Sequence, residues 1–347
     1  MKLMKTTEAV GQVLCHDITQ IIPGVKKDAV FRKGHIITKE DIPVLLSVGK
    51  DTIYIWENDD TMMHENEAAQ VLYSMCACDT ASKMHPSSVK EGKIEVIADC
   101  DGLLKVDSEK LKKVNSFGEM MIATRHGNTT VKKDDKLAGT RIIPLVIKKD
   151  KLEAASHICD DGPILDIKPF VVRKAAIITT GNEVYHGRIQ DAFTPVIEKK
   201  IAEFGAQMMF HEVFDDDDKK ITDGCLRAIE AGAEIVFCTG GMSVDPDDKT
   251  PLAIKNTGAR IVSYGSPVLP GAMFLLSYYD AGDRLVPICG LPGCAMYNKR
   301  TIFDIVLPRL MARDMILADE LAGLGEGGLC LNCDVCTFPN CGFGKGF

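Results

Sequence analysis

Apolar and polar positions change their rhythm several times along the chain. Up to residue 57 short apolar runs alternate with turn residues, as in "AVGQVLCHDIT", "AVFRKGHII", "IPVLLSVGK" and "TIYIWE". This pattern predicts a small α+β unit over 1–60, with a helix opening at Lys39-Glu40-Asp41 and stopping at Gly49. The acidic stretch 61–90 predicts a linker leading into a helix, closed before Pro86 because proline cannot continue it. Over 91–171 alternation dominates, in "KIEVIADCDGLLKVD", "GEMMIATRHGN" and "RIIPLVI"; a β-rich domain follows, with "DG" and "GN" as hairpin turns and "DSEKLKKV" as its helix.

From 172 to 318 continuous apolar runs alternate with segments of helical period. "KAAIITTG", "AQMMFHEVF", "AEIVFCTGG" and "RLVPICGLPG" read as strands. Between them, "DAFTPVIEKKIAEFGA" places Phe193, Val196, Ile197, Ile201 and Phe204 on one helical face, "KKITDGCLRAIEAGA" forms a second helix, and a third is expected from about 294 to 312. Strands separated by helices of this length predict an α/β fold, a parallel sheet with helices on both faces in three layers. A Cys-rich tail, 319–347, follows.

Composition narrows the function. With 46% hydrophobic residues over 347 positions the chain can build cores, and a net charge of −8 argues against nucleic acid or an anionic membrane as main partner. No apolar stretch is long enough for a membrane span, and "MKLMK" lacks the apolar run of a secretory signal, so a cytoplasmic protein is expected. Thirteen cysteines scattered through strand-like segments read as reduced thiols.

In open α/β sheets ligands bind beyond the carboxyl ends of the strands. Three strands here end in glycine turns, "TTGNE", "CTGGMS" and "CGLPG". Gly181, Gly240 and Gly241 open the backbone, and Thr180, Thr239 and Ser243 add hydroxyl donors, a pattern suited to cradling phosphate. Tight turns alone would also explain any single glycine. Carboxylates follow: Glu183 and Asp191 after the first strand, Asp245, Asp247 and Asp248 after the third. They could hold Mg²⁺ between themselves and a ligand phosphate, or belong to solvated, helix-capping loops; for Asp191 and Asp248 the two readings balance. Lys249, Arg188 and His186 read mainly as surface residues, and "DDDDKK" from Asp215 as a turn favouring the next helix N-terminus. In the tail, Cys330, Cys333, Cys336 and Cys341 have the spacing C-x2-C-x2-C-x4-C, closer to an iron–sulfur run than to paired zinc knuckles. A [4Fe–4S] cluster, zinc and a metal-free thiol tail all remain open.

The segments "ITTGNEVYHGRIQDAF", "VFCTGGMSVDPDDKT", "PVLPGAMF" and "GLPG" resemble the signatures of the molybdopterin-binding domain shared by molybdopterin molybdenumtransferases of the gephyrin type and molybdopterin adenylyltransferases. "AVGQVLCHDIT" is similar to the opening segment of the transferases. The resemblance implies molybdopterin, or its adenylylated form, as ligand, with Mg²⁺, and a tendency to self-associate. It assigns Asp248, Asp191 and Glu183 as catalytic or metal-positioning acids. Thr180, Gly181, Thr239, Gly240, Gly241, Ser243, Pro270, Gly271, Gly290, Pro292 and Gly293 become cofactor-binding positions. The implied chemistry is molybdate insertion with loss of AMP. Leu269 and Ala272 stand where the transferases carry lysines, and Cys294 and Ala295 where they carry "NP". Each lost cation removes roughly 1.5–3 kcal/mol of charge-assisted bonding. The rival reading is therefore a non-catalytic protein that holds finished cofactor for an acceptor molybdoenzyme and carries an iron–sulfur or redox-sensing tail.

Overall fold

The computed structural model describes residues 2–22, 26–55, 59–77, 83–246 and 248–346. The chain forms two compact units: residues 1–99, 106–125 and 133–166, and residues 100–105, 126–132 and 167–347.

In the second unit six strands form one sheet. They are β1 (Lys174–Thr180), β2 (Gln207–Phe214), β3 (Ile235–Thr239), β4 (Arg260–Tyr264), β5 (Leu275–Asp280) and β6 (Leu285–Leu291), in the order β2-β1-β3-β6-β5-β4. The first four in that order run parallel. β5 runs antiparallel to both its neighbours, so the expected parallel sheet holds for four strands and is mixed at one side. The cause lies in four residues: Ala281–Arg284 is too short for a crossover, and such a loop joins only antiparallel strands.

Two of the inner strands, β1 and β3, show why their sequence is apolar over four successive positions. On β1 and β3, Ala175, Ile177, Ile235 and Phe237 enter one core; Ala176, Ile178, Val236 and Cys238 enter the other. A strand buried on both faces has no polar alternation left to display. The first core is closed by α1 (Phe193–Ala202) through Ile197 and Ile201, and by α4 (Ile302–Met311) through Ile302, Phe303, Val306 and Leu310. The second is closed by α2 (Asp218–Glu230) through Ile221, Cys225 and Ala228, and by α3 (Thr250–Asn256) through Ala253 and Ile254. Each such side chain, fully buried, contributes roughly 1.5–3 kcal/mol. The result is the expected three-layer α/β arrangement.

Helix ends follow local chemistry. Asp217 caps α2, accepting from the N–H groups of Lys219 (3.0 Å) and Lys220 (3.2 Å), which is the role expected of the acidic run. The helix expected from 294 is instead a single 3₁₀ turn, Gly293–Met296; the α-helix begins later because Thr301 and Asp304 cap each other's backbone at Ile302.

The first unit is built from smaller pieces. Strands Ile18–Ile22 and Lys26–Phe31 form a hairpin, strand Lys2–Lys5 pairs with Thr52–Ile55, and a helix spans Asp41–Ser47 around a core that includes Leu14, Ile18, Ile37, Leu45 and Ile53. Helix Glu65–Cys76 packs on a four-stranded antiparallel sheet ordered Met84–Pro86, Lys93–Ala98, Lys136–Ile142, Met120–Thr124. The hairpins expected at "DG" and "GN" do not form. Lys93–Ala98 and Gly102–Val106 lie in different sheets, as do Met120–Thr124 and Thr129–Val131. Gly102 is needed for close packing rather than for a turn, since a Cβ there would sit 2.5 Å from Ile167 Cγ2 and 2.7 Å from the Lys168 carbonyl oxygen.

Below α4 a buried carboxylate organises three cations. Asp314, 5% exposed, accepts from Arg309 (2.6 Å), Lys168 (2.6 Å) and Lys105 (2.8 Å). Burial alone would raise its carboxyl, but hydrogen bonds from Lys105 and Lys168 and the charge of Arg309 outweigh that and hold it at about 2. Lys105 is shifted in the costly direction, its ammonium lowered by burial despite Asp314, so the cluster's net stabilisation is smaller than the carboxylate's shift alone suggests. A depressed folded-state value means stability present above about pH 4 and lost as pH falls toward 2. Asp314→Asn should therefore cost on the order of 2 kcal/mol at neutral pH, and the loss relative to wild type should shrink to roughly half of that at pH 3; urea titrations at pH 7 and pH 3 measure both.

Candidate functional site

At the carboxyl ends of β3 and β6 the sheet opens into a cleft of about 570 Å³. Gly240, Gly241, Met242, Ser243 and Asp248 form one wall, Leu269–Met273 a second, and Leu291–Cys294 with Tyr297 and Asn298 a third, while Phe193 enters from α1.

The Gly-Gly turn owes its shape to the neighbouring strand. Gly240 has φ +80°, and a Cβ on it would lie 2.0 Å from the Thr180 carbonyl oxygen; one on Gly241, φ +53°, would lie 2.9 Å from Thr250 Oγ1. These glycines are glycine because the turn packs against β1 and α3, not because a ligand occupies the space of the missing side chains. A hydroxyl chain then ties the turn down: Thr180 Oγ1 donates to the Thr239 carbonyl (3.1 Å) and lies 3.0 Å from Thr250 Oγ1, which donates to the Gly240 carbonyl (2.9 Å). Thr250 N–H donates to the Gly241 carbonyl (3.2 Å). With its carbonyls engaged inward, the turn keeps the N–H groups of Gly241, Met242 and Ser243 without an acceptor among the described residues.

Of the positions singled out from sequence, Gly240, Gly241, Ser243, Asp248, Pro270, Gly271, Pro292 and Gly293 line the cleft. Thr180 and Thr239 are buried beneath it; Thr239 Oγ1 has no partner among the described residues. Gly290 is buried in β6, where a Cβ would strike Met242 Cε at 2.5 Å. Gly181 has Glu183 folded against it, with Oε1 2.9 Å from where a Cβ would stand, and Glu183 is exposed on the one-turn helix Asn182–Tyr185.

The two acids that balanced between loop and ligand separate clearly. Asp191 serves the fold: Oδ1 accepts from the N–H groups of Phe193 (2.8 Å) and Thr194 (3.1 Å) at the start of α1, and Oδ2 from the hydroxyls of Thr194 (2.6 Å) and Thr179 (2.9 Å). His211 Nε2 is 3.5 Å from Oδ2. Burial pushes the Asp191 carboxyl up, and these hydrogen bonds more than offset it, leaving it below its ordinary range. Asp248, by contrast, does not cap α3, whose N-cap Lys249 makes no side-chain bond; it accepts from Asp245 N–H (3.2 Å) and stands in the cleft wall. Nearby, Tyr264 is raised by burial and by the Asp248 charge. Asp247 lies outside the described residues.

Charge is scarce in the cleft. Asp248 is the only charged side chain among the described lining residues, and neither Lys249 nor Arg188 takes part. Sequence reasoning missed Phe193, Met242, Met273, Tyr297 and Asn298. Tyr297 borders the cleft while 74% exposed, and no local sequence signal marks it.

No group of three or more His, Cys, Asp or Glu among the described residues is placed to hold a metal. This bears directly on the tail. Cys330 and Cys341 pack partly buried against the first core, whereas Cys333 and Cys336 are exposed. The Cys336 thiol is lowered by the Phe338 N–H and by Arg300, which also stacks 5.0 Å over the Phe338 ring. The four sulfurs are not brought together, and the arrangement does not fit a cluster.

Replacing Gly240 by alanine should destabilise the protein by more than about 3 kcal/mol, because backbone strain and a hard clash coincide. Gly293→Ala meets nothing within 4 Å and should be near neutral, although Gly293 lines the same cleft. Thermal denaturation of the two variants checks the contrast.

The family described as "Probable molybdopterin binding domain" matches residues 176–312, and a domain of unknown function, DUF8806, matches residues 3–57. A competence-damage inducible protein of Bacillus velezensis is 29% identical over 90 residues, 26% of this chain and 21% of its own length. One from Geobacillus sp. (strain WCH70) is 33% identical over 88 residues, 25% of this chain and 20% of its own. The chain thus spans about a fifth of these curated relatives. Among solved structures, the tungsten cofactor synthesizing protein MoaB from Pyrococcus furiosus covers 41% of this chain and 89% of its own at 18% identity, with a TM-score of 0.31. The protein CinA, of unknown function, from Thermoplasma acidophilum covers 40% and 98% at 18% identity, with a TM-score of 0.32. Residues 176–312, which carry the six-stranded sheet and its helices, are thus similar to the molybdopterin-binding domain family.

Proposed function

We propose that the cleft binds a molybdopterin-type ligand, a phosphorylated pterin, and that its role is to hold this ligand in molybdenum-cofactor metabolism. The observation that carries the reading is the wall itself. Three adjacent N–H groups, Gly241 to Ser243, have no acceptor among the described residues and can receive a phosphate, and apolar Phe193, Leu269, Met273 and Tyr297 offer surface for a flat heterocycle. A cleft of this volume lies within the usual range for small-molecule sites.

Holding is favoured over chemistry because the described wall supplies no Lys or Arg to meet developing charge on phosphate or molybdate. Leu269 and Ala272, read from sequence as replacements for lysines, both stand in it. The second reading, molybdate insertion into adenylylated molybdopterin, draws on Asp248: one carboxylate plus ligand phosphates is a common way to bind Mg²⁺. Asp191 is a poor second ligand, since both its oxygens already accept protein hydrogen bonds. An acceptor molybdoenzyme is the partner the holding role implies. The tail enters this proposal as thiols packed on the α/β unit rather than as an iron–sulfur centre.

Calorimetric titration of purified molybdopterin into the full chain should register binding, and Gly293→Leu should weaken it at least about tenfold, or ~1.4 kcal/mol, with an unchanged melting temperature. No heat with wild type, Mg²⁺ present or not, overturns the proposal. Molybdate-stimulated AMP release from the adenylylated ligand, abolished by Asp248→Asn, would replace holding with catalysis.

A further inference from the structure

A second cavity, of about 450 Å³, lies wholly within the first unit, where helix Glu65–Cys76 begins. Its lining brings together residues distant in sequence: His16, Lys33, Lys50, His64, Glu65 and Arg141, joined by Asp17, Asn66 and Glu91. Three cations and three carboxylates surround two imidazoles.

Several features mark it as built. His64 is 5% exposed and fixed at both nitrogens: Nε2 lies 2.9 Å from the Cys15 carbonyl, and Nδ1 accepts from Asn66 N–H (3.2 Å). Burial lowers its pKa, in keeping with an Nδ1 that accepts a hydrogen bond. Asn66 turns outward to accept from Gly92 N–H (3.1 Å). Gly92 has φ +66°, and a Cβ there would lie 2.7 Å from Glu65 Oε2, so glycine is required for Glu65 to hold its position. Burial raises the Glu65 carboxyl, and Arg141 and Lys33 offset this only in part. His16 Nδ1 is buried and has no partner among the described residues. Burial, and then Lys50, lowers the His16 pKa. A buried imidazole nitrogen without a partner among the described residues, beside a cavity, is a group waiting for a polar atom. No metal accounts for the cluster, since no group of three acid, His or Cys ligands among the described residues is suitably placed.

We propose that this cavity binds a small metabolite bearing an oxyanion, carboxylate or phosphate, with Lys33, Lys50 and Arg141 receiving the anion and Glu65 and His16 hydrogen-bonding its polar remainder. The site is independent of the pterin cleft and rests on none of its residues. The Arg141 guanidinium fork and the two lysine ammoniums suit both oxyanions.

The test titrates full-length protein with inorganic phosphate and, separately, with malonate, followed by calorimetry. Binding of either probe that weakens at least about tenfold in Lys33→Gln or in Arg141→Gln, and not in Lys199→Gln on an exposed face of the other unit, supports the site and shows which oxyanion it prefers. Lys33 is exposed, so its variant separates lost binding from lost folding. Absence of binding by both probes, or binding that survives both substitutions, overturns the proposal.

Discussion

The approach of the Gly240 backbone to the Thr180 carbonyl determines where everything in the cleft can stand. With a would-be Cβ only 2.0 Å from that oxygen, no side chain larger than hydrogen lets the end of β3 turn over the end of β1. The turn in turn presents its carbonyls to Thr250 and leaves the N–H groups of its cleft-lining residues without an acceptor among the described residues, which is the polarity an anion requires. A packing constraint inside the sheet thus fixes the electrostatics of a surface. The hydroxyls of Thr180 and Thr250 make the arrangement stiff at no cost in unpaired groups, although Thr239 Oγ1 beside them stays without a partner among the described residues.

The same constraint clarifies why the carboxylates beside the turn differ in role. A carboxylate with several donors close to it is held ionised and is occupied; one facing an open wall is available. Asp191 meets two N–H groups and two hydroxyls, and its removal would first loosen α1. Asp248 meets one backbone N–H and otherwise faces the cleft. Both follow glycine turns at strand ends, so nothing in their sequence context separates them. The difference arises from which helix starts nearby: α1 starts directly after Asp191, while α3 starts at Thr250 with Pro251 inside its first turn, where a missing N–H reduces the demand for a cap.

Much of this architecture could be read beforehand because burial on two faces leaves a compositional trace. The runs Ala175–Ile178 and Ile235–Cys238 are apolar at every position, and the period of α1 displays Ile197 and Ile201 together. Of the three glycine turns expected to mark a site, "CTGGMS" and "CGLPG" line the cleft, while Gly181 of "TTGNE" does not. What was not legible depended on pairing over distance. "DG" at Asp101-Gly102 carries the local signal of a hairpin, yet Gly102 answers to Ile167 and Lys168, which no local pattern announces. The antiparallel course of β5 was readable in the shortness of Ala281–Arg284, and was overlooked in favour of the βαβ rhythm around it. The cysteine spacing of the tail suggested a shared metal, but spacing says only that thiols can converge, and the packing of Cys330 and Cys341 against the core takes two of them elsewhere.

Electrostatics separates the two cavities more sharply than shape does. The chain carries a net charge of −8, so any anion approaches against an unfavourable field, which salt screens over roughly 10 Å. The cleft of the α/β unit meets that field with backbone dipoles and one carboxylate; affinity there must come largely from apolar contact and from hydrogen bonds, or from a divalent ion brought with the ligand. The cavity of the first unit has cations of its own, set among carboxylates, so its attraction acts at short range. Adding salt should therefore weaken anion binding in the cation-lined cavity more than binding in the cleft, whose described wall holds no Lys or Arg for counter-ions to displace. Two sites in one chain that respond differently to ionic strength would be hard to attribute to a single diffuse acidic surface, and that asymmetry follows from which side chains line each wall.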